Sequence, residues 1–170
     1  VMTGLEYFYE ICKSKALKAK ILHSLQRQAD YILKKIGPGE GRLPIDQTSE
    51  WWGGLNSSTI LEPFVQLYKL SGEQRYLNFA EYIIRNGGCT KGDLYRLALE
   101  NRLKPYEYPV TKAYEMMSFF EGVLAYYEAT REEECFCVVE NFVSAVRESE
   151  ITVIGGAGCT HELFDHSAVK

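Results

Sequence analysis

A glycine-rich segment near the end of the chain presents three ionisable side chains within a few residues. The segment reads "ITVIGGAGCTHELFD", and His161, Glu162 and Asp165 come directly after its glycines. Carboxyl and imidazole groups are the side chains that most often move protons in enzymes, so this loop is a candidate site. From the residues alone, the alternative is a glutamate that is simply solvated on a loop.

Two adjacent tryptophans lie in a second loop, in the stretch "SEWWGGLNSS". Aromatic faces stack on the apolar C–H surface of sugar rings, so a tryptophan pair suits a carbohydrate site. The alternative is that the pair packs its loop onto the helices. We expect one tryptophan in each role, with Trp52 as the candidate sugar contact.

Three segments of the chain read alike at one fixed spacing, which indicates repeated helix hairpins. Tyr9, Tyr68 and Tyr127 are each 59 residues apart, and Glu62 and Glu121 keep the same spacing. Each segment leads through a turn into a second run whose apolar residues recur every three or four positions. In the first repeat this second run starts late, which predicts a longer turn. The sequence therefore predicts an all-α fold of three antiparallel hairpins, with each first helix on an inner layer.

The connections between the hairpins are much longer than the turns inside them. They run over about residues 37–57, 87–111 and from 150 onward. Each joins the second helix of one hairpin to the first helix of the next, so all of them must gather at one end of the array. Long ordered loops in compact domains are usually functional, and that end is therefore the candidate site.

Repeated helix hairpins stack into an open solenoid or close into an α/α toroid. A toroid of six hairpins at this period needs roughly 350 residues, whereas the chain has 170. Residues 1–170 are therefore expected to be a fragment of a longer protein, and the chain would stop within a loop at "SAVK". If the array is a toroid, residues 1–170 are part of a single α/α-toroid domain that is truncated at both ends, with about half of the barrel present.

Composition narrows the classes of partner. The net charge is −4 and no basic stripe stands out, which argues against a nucleic-acid partner. No apolar run approaches the roughly 20 residues of a membrane span, and no leader opens the sequence, so a cytoplasmic location is expected. A leader upstream would leave no trace here.

The five cysteines are irregularly spaced and form no zinc-binding pattern, so no metal ligands are assigned in this chain.

Three stretches resemble the β-L-arabinofuranosidase-like glycoside hydrolases, family 127 and its relatives. They read "SSTILEPFVQLYKLSGEQRYLNFAEYII", "KAYEMMSFFEGVLAYYEAT" and "EITVIGGAGCTHELFD". The last is the most specific, since a glycine-rich loop is followed by a glutamate and a phenylalanine. The resemblance covers almost the whole chain and implies a retaining glycosidase with an α/α-toroid fold. It also implies that Glu162 is the general acid/base, although His161 stands where the family usually has glycine.

The resemblance implies further parts that this chain lacks. The family's nucleophile is a cysteine near a zinc ion, which is bound by a Glu-x-Cys element and a cysteine pair further along the chain. Such a metal would deprotonate the thiol. None of the five cysteines matches these elements, and Cys159 is read as a small loop residue. We therefore expect zinc only in the full-length enzyme and no activity from this chain alone.

Two sugar-binding histidines of the family are replaced in this sequence. By alignment Ser57 and Lys112 occupy their positions, and His161 is a further candidate contact. Lys112 adds a positive charge that suits an acidic sugar. The alternatives are an N-cap role for Ser57 and a solvated lysine at position 112. The expected substrate is a glycan that ends in L-arabinofuranose or a related sugar.

Two other classes of function stay open at this point. One is a non-catalytic helical-repeat module that binds a glycan or peptide at its loop end. The other is a different α/α-toroid carbohydrate enzyme, an epimerase or a lyase. A Glu-x-Cys element shortly beyond Lys170, and then a cysteine pair, would favour the hydrolase. The inner helices are expected to expose apolar surface that the missing half would cover, which would make the isolated chain poorly soluble or homo-oligomeric.

Overall fold

The structure is a computed structural model that describes residues 1–167. Ala168–Lys170, the end of the predicted terminal loop, lie outside the described residues. The helices are α1 (Met2–Ile11), α2 (Lys15–Lys35), α3 (Leu55–Ser58), α4 (Leu61–Ser71), α5 (Gln74–Arg85), α6 (Leu94–Glu100), α7 (Ala113–Thr130) and α8 (Glu133–Ser149). Two short strands, β1 (Gly88–Cys89) and β2 (Gly92–Asp93), pair antiparallel. The all-α prediction is confirmed, and none of the helices in the described range has the length and apolar character needed to cross a bilayer.

The three hairpins predicted from the 59-residue period are α1–α2, α4–α5 and α7–α8. The two helices of each pair pack against each other, and the first helices also contact one another in chain order, α1 with α4 and α4 with α7. Helix α2 also packs against α4, and α5 against α7. The first helices thus form one layer and the second helices cover it. Closure into a ring stays a prediction.

The prediction of a longer turn in the first hairpin is wrong, because helix α2 itself is longer. It starts at Lys15, shortly after α1 ends at Ile11, and it runs for 21 residues. Its opening residues, "KALKAKIL", are mostly strong helix formers. The hydroxyl of Ser14 accepts a hydrogen bond from the backbone N–H of Leu17 at 3.3 Å, which caps the first turn.

The core lies between the two helix layers and is rich in aromatic rings. The rings of Phe120 and Phe142 stack at 3.9 Å and join α7 to α8. Helices α4 and α7 approach closely where Gly122 faces Leu61, since a Cβ atom at Gly122 would lie 2.6 Å from the Leu61 Cγ atom. Glycine at this position therefore sets the distance between neighbouring first helices.

The long connections meet at one end of the array, as their lengths predicted. The backbone N–H of Thr90 in the second connection donates to the carbonyl of Gly53 in the first at 2.8 Å. The N–H of Phe164 in the third donates to the carbonyl of Thr111 in the second, also at 2.8 Å. Helix α6, which the sequence analysis did not predict, lies within the second connection and packs against α8.

Candidate active site at the loop end

The glycine-rich segment forms a loop that is fastened to the residues just before α7. Leu163 forms an antiparallel bridge with Lys112, and the N–H of Phe164 bonds to Thr111. The Phe164 ring is only 1% exposed and packs edge-on against the ring of Phe142 at 6.2 Å. This anchoring brings the preceding residues of the loop, including Glu162, beside the start of α7.

The base of the same loop is held by residues that the sequence analysis missed. Glu150, directly after α8, is fully buried, and its Oε2 atom accepts the backbone N–H of His166 at 3.2 Å. The His166 Nδ1 atom lies 2.7 Å from the carbonyl oxygen of Ser149, and the imidazole packs on the Tyr106 ring at 4.8 Å. Burial raises the pKa of the Glu150 carboxyl. The available signal was a glutamate at a helix end just before a glycine-rich run.

Lys112 and Glu162 form an ion pair at the centre of the candidate site. The Lys112 Nζ atom lies 2.5 Å from Glu162 Oε2 and also donates to the carbonyl of His161 at 3.2 Å. The same Nζ atom lies 5.5 Å from the centre of the Trp52 ring, within the range of a cation–π contact. The structure therefore brings together four of the five predicted site residues.

The two partners of the ion pair differ in exposure. The Lys112 side chain is 13% exposed, whereas that of Glu162 is 72% exposed. The alternative of a solvated lysine at position 112 is therefore wrong. The Lys112 ammonium group is largely buried in the wall of the site, whereas the Glu162 carboxylate is exposed to solvent.

The ion pair shifts the pKa of the candidate acid/base. The hydrogen bond from Lys112, and then its positive charge, lowers the pKa of the Glu162 carboxyl below its ordinary value. A general acid must carry a proton when the substrate binds. The ion pair therefore favours the carboxylate form of Glu162 over the protonated form that a general acid needs.

Three of the clustered residues have left-handed backbone conformations, which are uncommon for residues other than glycine. The φ angles are 53° at Trp52, 58° at His161 and 60° at Glu162. Such conformations persist only where the surrounding structure imposes them, and they are concentrated at functional sites. Here the connections that meet at the loop end impose them.

The two tryptophans differ in environment. Trp51 is 73% exposed, whereas Trp52 is half-buried and packs against the core beneath Lys112. The half-buried ring is therefore the one that contacts the charged pair.

Ser57 lies inside α3 and not at a helix start, so the N-cap alternative for this residue is wrong. The residue that precedes α3 is Gly54, whose φ of 80° places it in the left-handed region. Ser57 lines a cleft of about 460 Å³ together with Thr48 and Asn56. The walls of that cleft include none of the four clustered residues, so the structure assigns Ser57 to a neighbouring surface.

Two of the cysteines are buried, and none belongs to a metal-binding cluster within residues 1–167. Cys89 and Cys135 are buried, and burial raises the pKa of both thiols, which disfavours the thiolate. Cys159 is half-buried, and its carbonyl accepts the backbone N–H of Glu162 at 3.1 Å. No three His, Cys, Asp or Glu side chains within residues 1–167 lie close enough to hold a metal ion, so the zinc implied by the resemblance does not fit here.

Comparison with known proteins identifies the family. The family model of the β-L-arabinofuranosidase GH127 catalytic domain matches residues 1–169. The chain belongs to this family. No curated protein and no solved structure matches it. Membership in GH127 makes this a glycoside hydrolase domain, whose substrate is a carbohydrate.

The loop-end cluster of this GH127 domain contains chemical groups that suit sugar binding and proton transfer. The Trp52 ring offers an apolar face, the Lys112 ammonium offers N–H donors, and the Glu162 carboxyl is a proton-transfer group. All three lie at the end of the array where the long connections meet.

Proposed function

We propose that this GH127 chain carries the general acid/base, Glu162, of a retaining glycoside hydrolase. The proposed substrates are glycans with a terminal L-arabinofuranose or a related sugar. The observation that carries the proposal is the contact of Glu162 with Lys112 above the Trp52 ring. This contact lies at the loop end of the chain, and the chain matches a glycoside hydrolase family model over residues 1–169.

In the proposed reaction Glu162 first protonates the leaving glycosidic oxygen and later removes a proton from the attacking water. Its exposed carboxylate, on a loop that is fastened beside α7, supports this role. Trp52 would stack on the sugar, and Lys112 and His161 would hydrogen-bond its hydroxyl groups. Ser57 would contact the glycan from the neighbouring cleft.

We further propose that the nucleophile is a cysteine beside a zinc ion and that residues outside this chain supply both. Bound zinc favours the thiolate form of a cysteine. The buried thiols of Cys89 and Cys135 support an outside source, because their raised pKa disfavours the thiolate. The full-length enzyme would complete an α/α toroid around the same site, and residues 1–170 alone would be inactive.

The decisive experiment is the substitution Glu162→Gln in the full-length enzyme. It keeps the shape of the side chain and removes the proton. Hydrolysis of natural linkages should fall by about 10²–10⁴-fold, whereas activated aryl glycosides should lose far less at the first step because their leaving groups need little protonation. Azide should partly restore turnover of the aryl substrate, since it attacks the glycosyl-enzyme without a general base.

The matched control is Glu148→Gln. Glu148 is an exposed glutamate that also pairs with a lysine, Lys104, at 2.5 Å, and this variant should keep full activity. Near-normal rates of Glu162→Gln on both substrate types would show that Glu162 is only a loop residue. Glycosidase activity from residues 1–170 alone would overturn the outside nucleophile. Sugar binding without any hydrolysis by the full-length protein would favour the non-catalytic binding module.

A further inference from the structure

The geometry around Lys112 points to the chemical class of the substrate. Lys112 Nζ has three N–H donors, of which one reaches Glu162 and one the carbonyl of His161. Among residues 1–167 no acceptor is recorded for the third. Lys112 is therefore a largely buried cation at the loop-end surface, and only two of its three N–H donors have a recorded acceptor among residues 1–167.

The present partner of this cation is easy to replace. Glu162 reaches Lys112 from solvent with a side chain that is 72% exposed. Water solvates an exposed carboxylate well once it separates from its partner, so Glu162 itself gains little from the ion pair. Lys112, by contrast, is enclosed by the Trp52 ring and the backbone of the loop. A second carboxylate could therefore take the place of Glu162 while Lys112 stays where it is.

The ion pair also conflicts with the proposed role of Glu162 as an acid. While Lys112 holds it, the carboxyl has a lowered pKa, which disfavours the protonated form that the leaving group needs. A ligand that occupies Lys112 with its own negative charge removes the hydrogen bond and neutralises the cation that cause this shift. A neutral sugar hydroxyl leaves the charge of Lys112 uncompensated.

We propose that Lys112 binds a carboxylate on the sugar substrate and that this carboxylate displaces Glu162 from the cation. The proposal rests on the proposed function of Glu162 and specifies its substrate as an acidic sugar, one whose ring bears a carboxylate. Trp52 lies beneath the same cation and would receive the apolar face of that ring. The exchange is one carboxylate for another, so no covalent step is involved.

The test compares uronates with their neutral parent sugars on the full-length protein. Binding of D-galacturonate and D-glucuronate is measured by calorimetry against D-galactose and D-glucose. At least one uronate should bind about 10- to 100-fold more tightly than its parent, the range of one charge-assisted hydrogen bond. Lys112→Met should abolish this preference, so that each uronate binds no more tightly than its neutral parent. Lys112→Arg should keep most of it.

Lys104→Met is the matched control, because Lys104 also pairs with a glutamate at 2.5 Å but lies outside the candidate site. It should leave the uronate preference unchanged. Displacement is followed by NMR of the Glu162 side-chain carbon, whose titration should move to higher pH when the uronate is bound. A preference that survives in Lys112→Met, no preference in the wild type, or an unmoved Glu162 titration would each overturn the proposal.

The outcomes separate this inference from the proposed function. If neutral arabinofuranosides are cleaved with the expected dependence on Glu162 but no uronate preference exists, the inference fails and the function stands. If uronates bind through Lys112 but no glycoside is cleaved, the carboxylate site stands and the hydrolase proposal fails.

Discussion

The backbone N–H of Phe164 donates a hydrogen bond to the carbonyl of Thr111 at 2.8 Å, across two connections that lie far apart in the sequence. The neighbouring residues continue the contact through the bridge between Lys112 and Leu163. Because Glu162 lies between this bridge and the glycines, its position depends on these few backbone contacts and on the burial of the Phe164 ring.

Replacing Phe164 by alanine should therefore both destabilise the chain and release the loop. The ring is 1% exposed, and loss of a buried phenylalanine costs about 3–5 kcal/mol. Chemical denaturation measures this loss, and in the full-length enzyme activity should fall as well. Phe136→Ala is the control, because that ring is 40% exposed and its removal should cost clearly less. Equal losses for the two variants would show that Phe164 is no special anchor.

Lys112→Met should raise the pKa of the Glu162 carboxyl towards its ordinary value. Lys112 lowers this pKa by its hydrogen bond and then by its charge, and methionine supplies neither. For a carboxyl with a lowered pKa, the stabilisation is present at neutral pH and is lost as the pH falls through the folded-state value. NMR titration of the Glu162 side-chain carbon gives the result directly. An unchanged titration midpoint would mean that the ion pair does not form in solution.

Glu6 on α1 should make the stability of the chain fall as the pH rises. Its side chain is 4% exposed, and neither carboxyl oxygen has a hydrogen-bond partner among the described residues. Burial, and then the negative charge of Glu62, raises its pKa from 4.5 to about 8. Between these values the folded state keeps a proton that the unfolded state releases, so the free energy of unfolding decreases with pH.

The substitution Glu6→Gln should remove this dependence. The difference between wild type and variant should change by at most about 1.4 kcal/mol per pH unit in that window, as measured by denaturation at a series of pH values. Glu10→Gln, at an exposed position of the same helix, should keep the wild-type slope. A Glu6→Gln chain with the wild-type slope would contradict the assignment.

The outer edge of the α7–α8 hairpin should make the isolated chain self-associate. Met117 and Val143 are 42% and 41% exposed, and they line an apolar cleft of about 270 Å³ with Phe120 and Phe142. Exposed apolar surface of this kind favours association. Sedimentation of residues 1–170 should detect oligomers, and the double substitution Met117→Glu and Val143→Glu should shift them towards monomer.

A control for surface charge is Leu17→Glu on α2, where the leucine is 39% exposed. It should leave the association unchanged. A wild-type chain that stays monomeric at every concentration tested would contradict the prediction.

Much of the fold could be predicted from local pattern, and the errors have identifiable causes. The three hairpins follow from the 59-residue spacing of Tyr9, Tyr68 and Tyr127. The early start of α2 was missed because its first turns are capped by Ser14 and built from helix formers without a strong apolar stripe. Helix α6 was missed because it is short and is stabilised by packing against α8.

The candidate site was only partly predictable, because tertiary contacts also determine which residues build it. Trp52, Lys112, His161 and Glu162 were selected one by one, from residue type and from the resemblance. In the local sequence the only signal for Glu150 is its place between a helix end and a glycine-rich run, and nothing marks His166 as a residue that holds the base of the loop. Their roles arise from burial and from hydrogen bonds across the loop, which local pattern does not encode.

The sequence by itself determined the helical class, the repeat and the family, because apolar periodicity, capping residues and a glycine-rich motif are local properties of the chain. Only the tertiary structure decided that Lys112 meets Glu162, a residue 50 positions away, and that this contact lowers the pKa of the carboxyl. Such a contact depends on how α7 and the final loop pack together. Electrostatic energy depends on distance in space and on burial, and neither is written in the order of the residues.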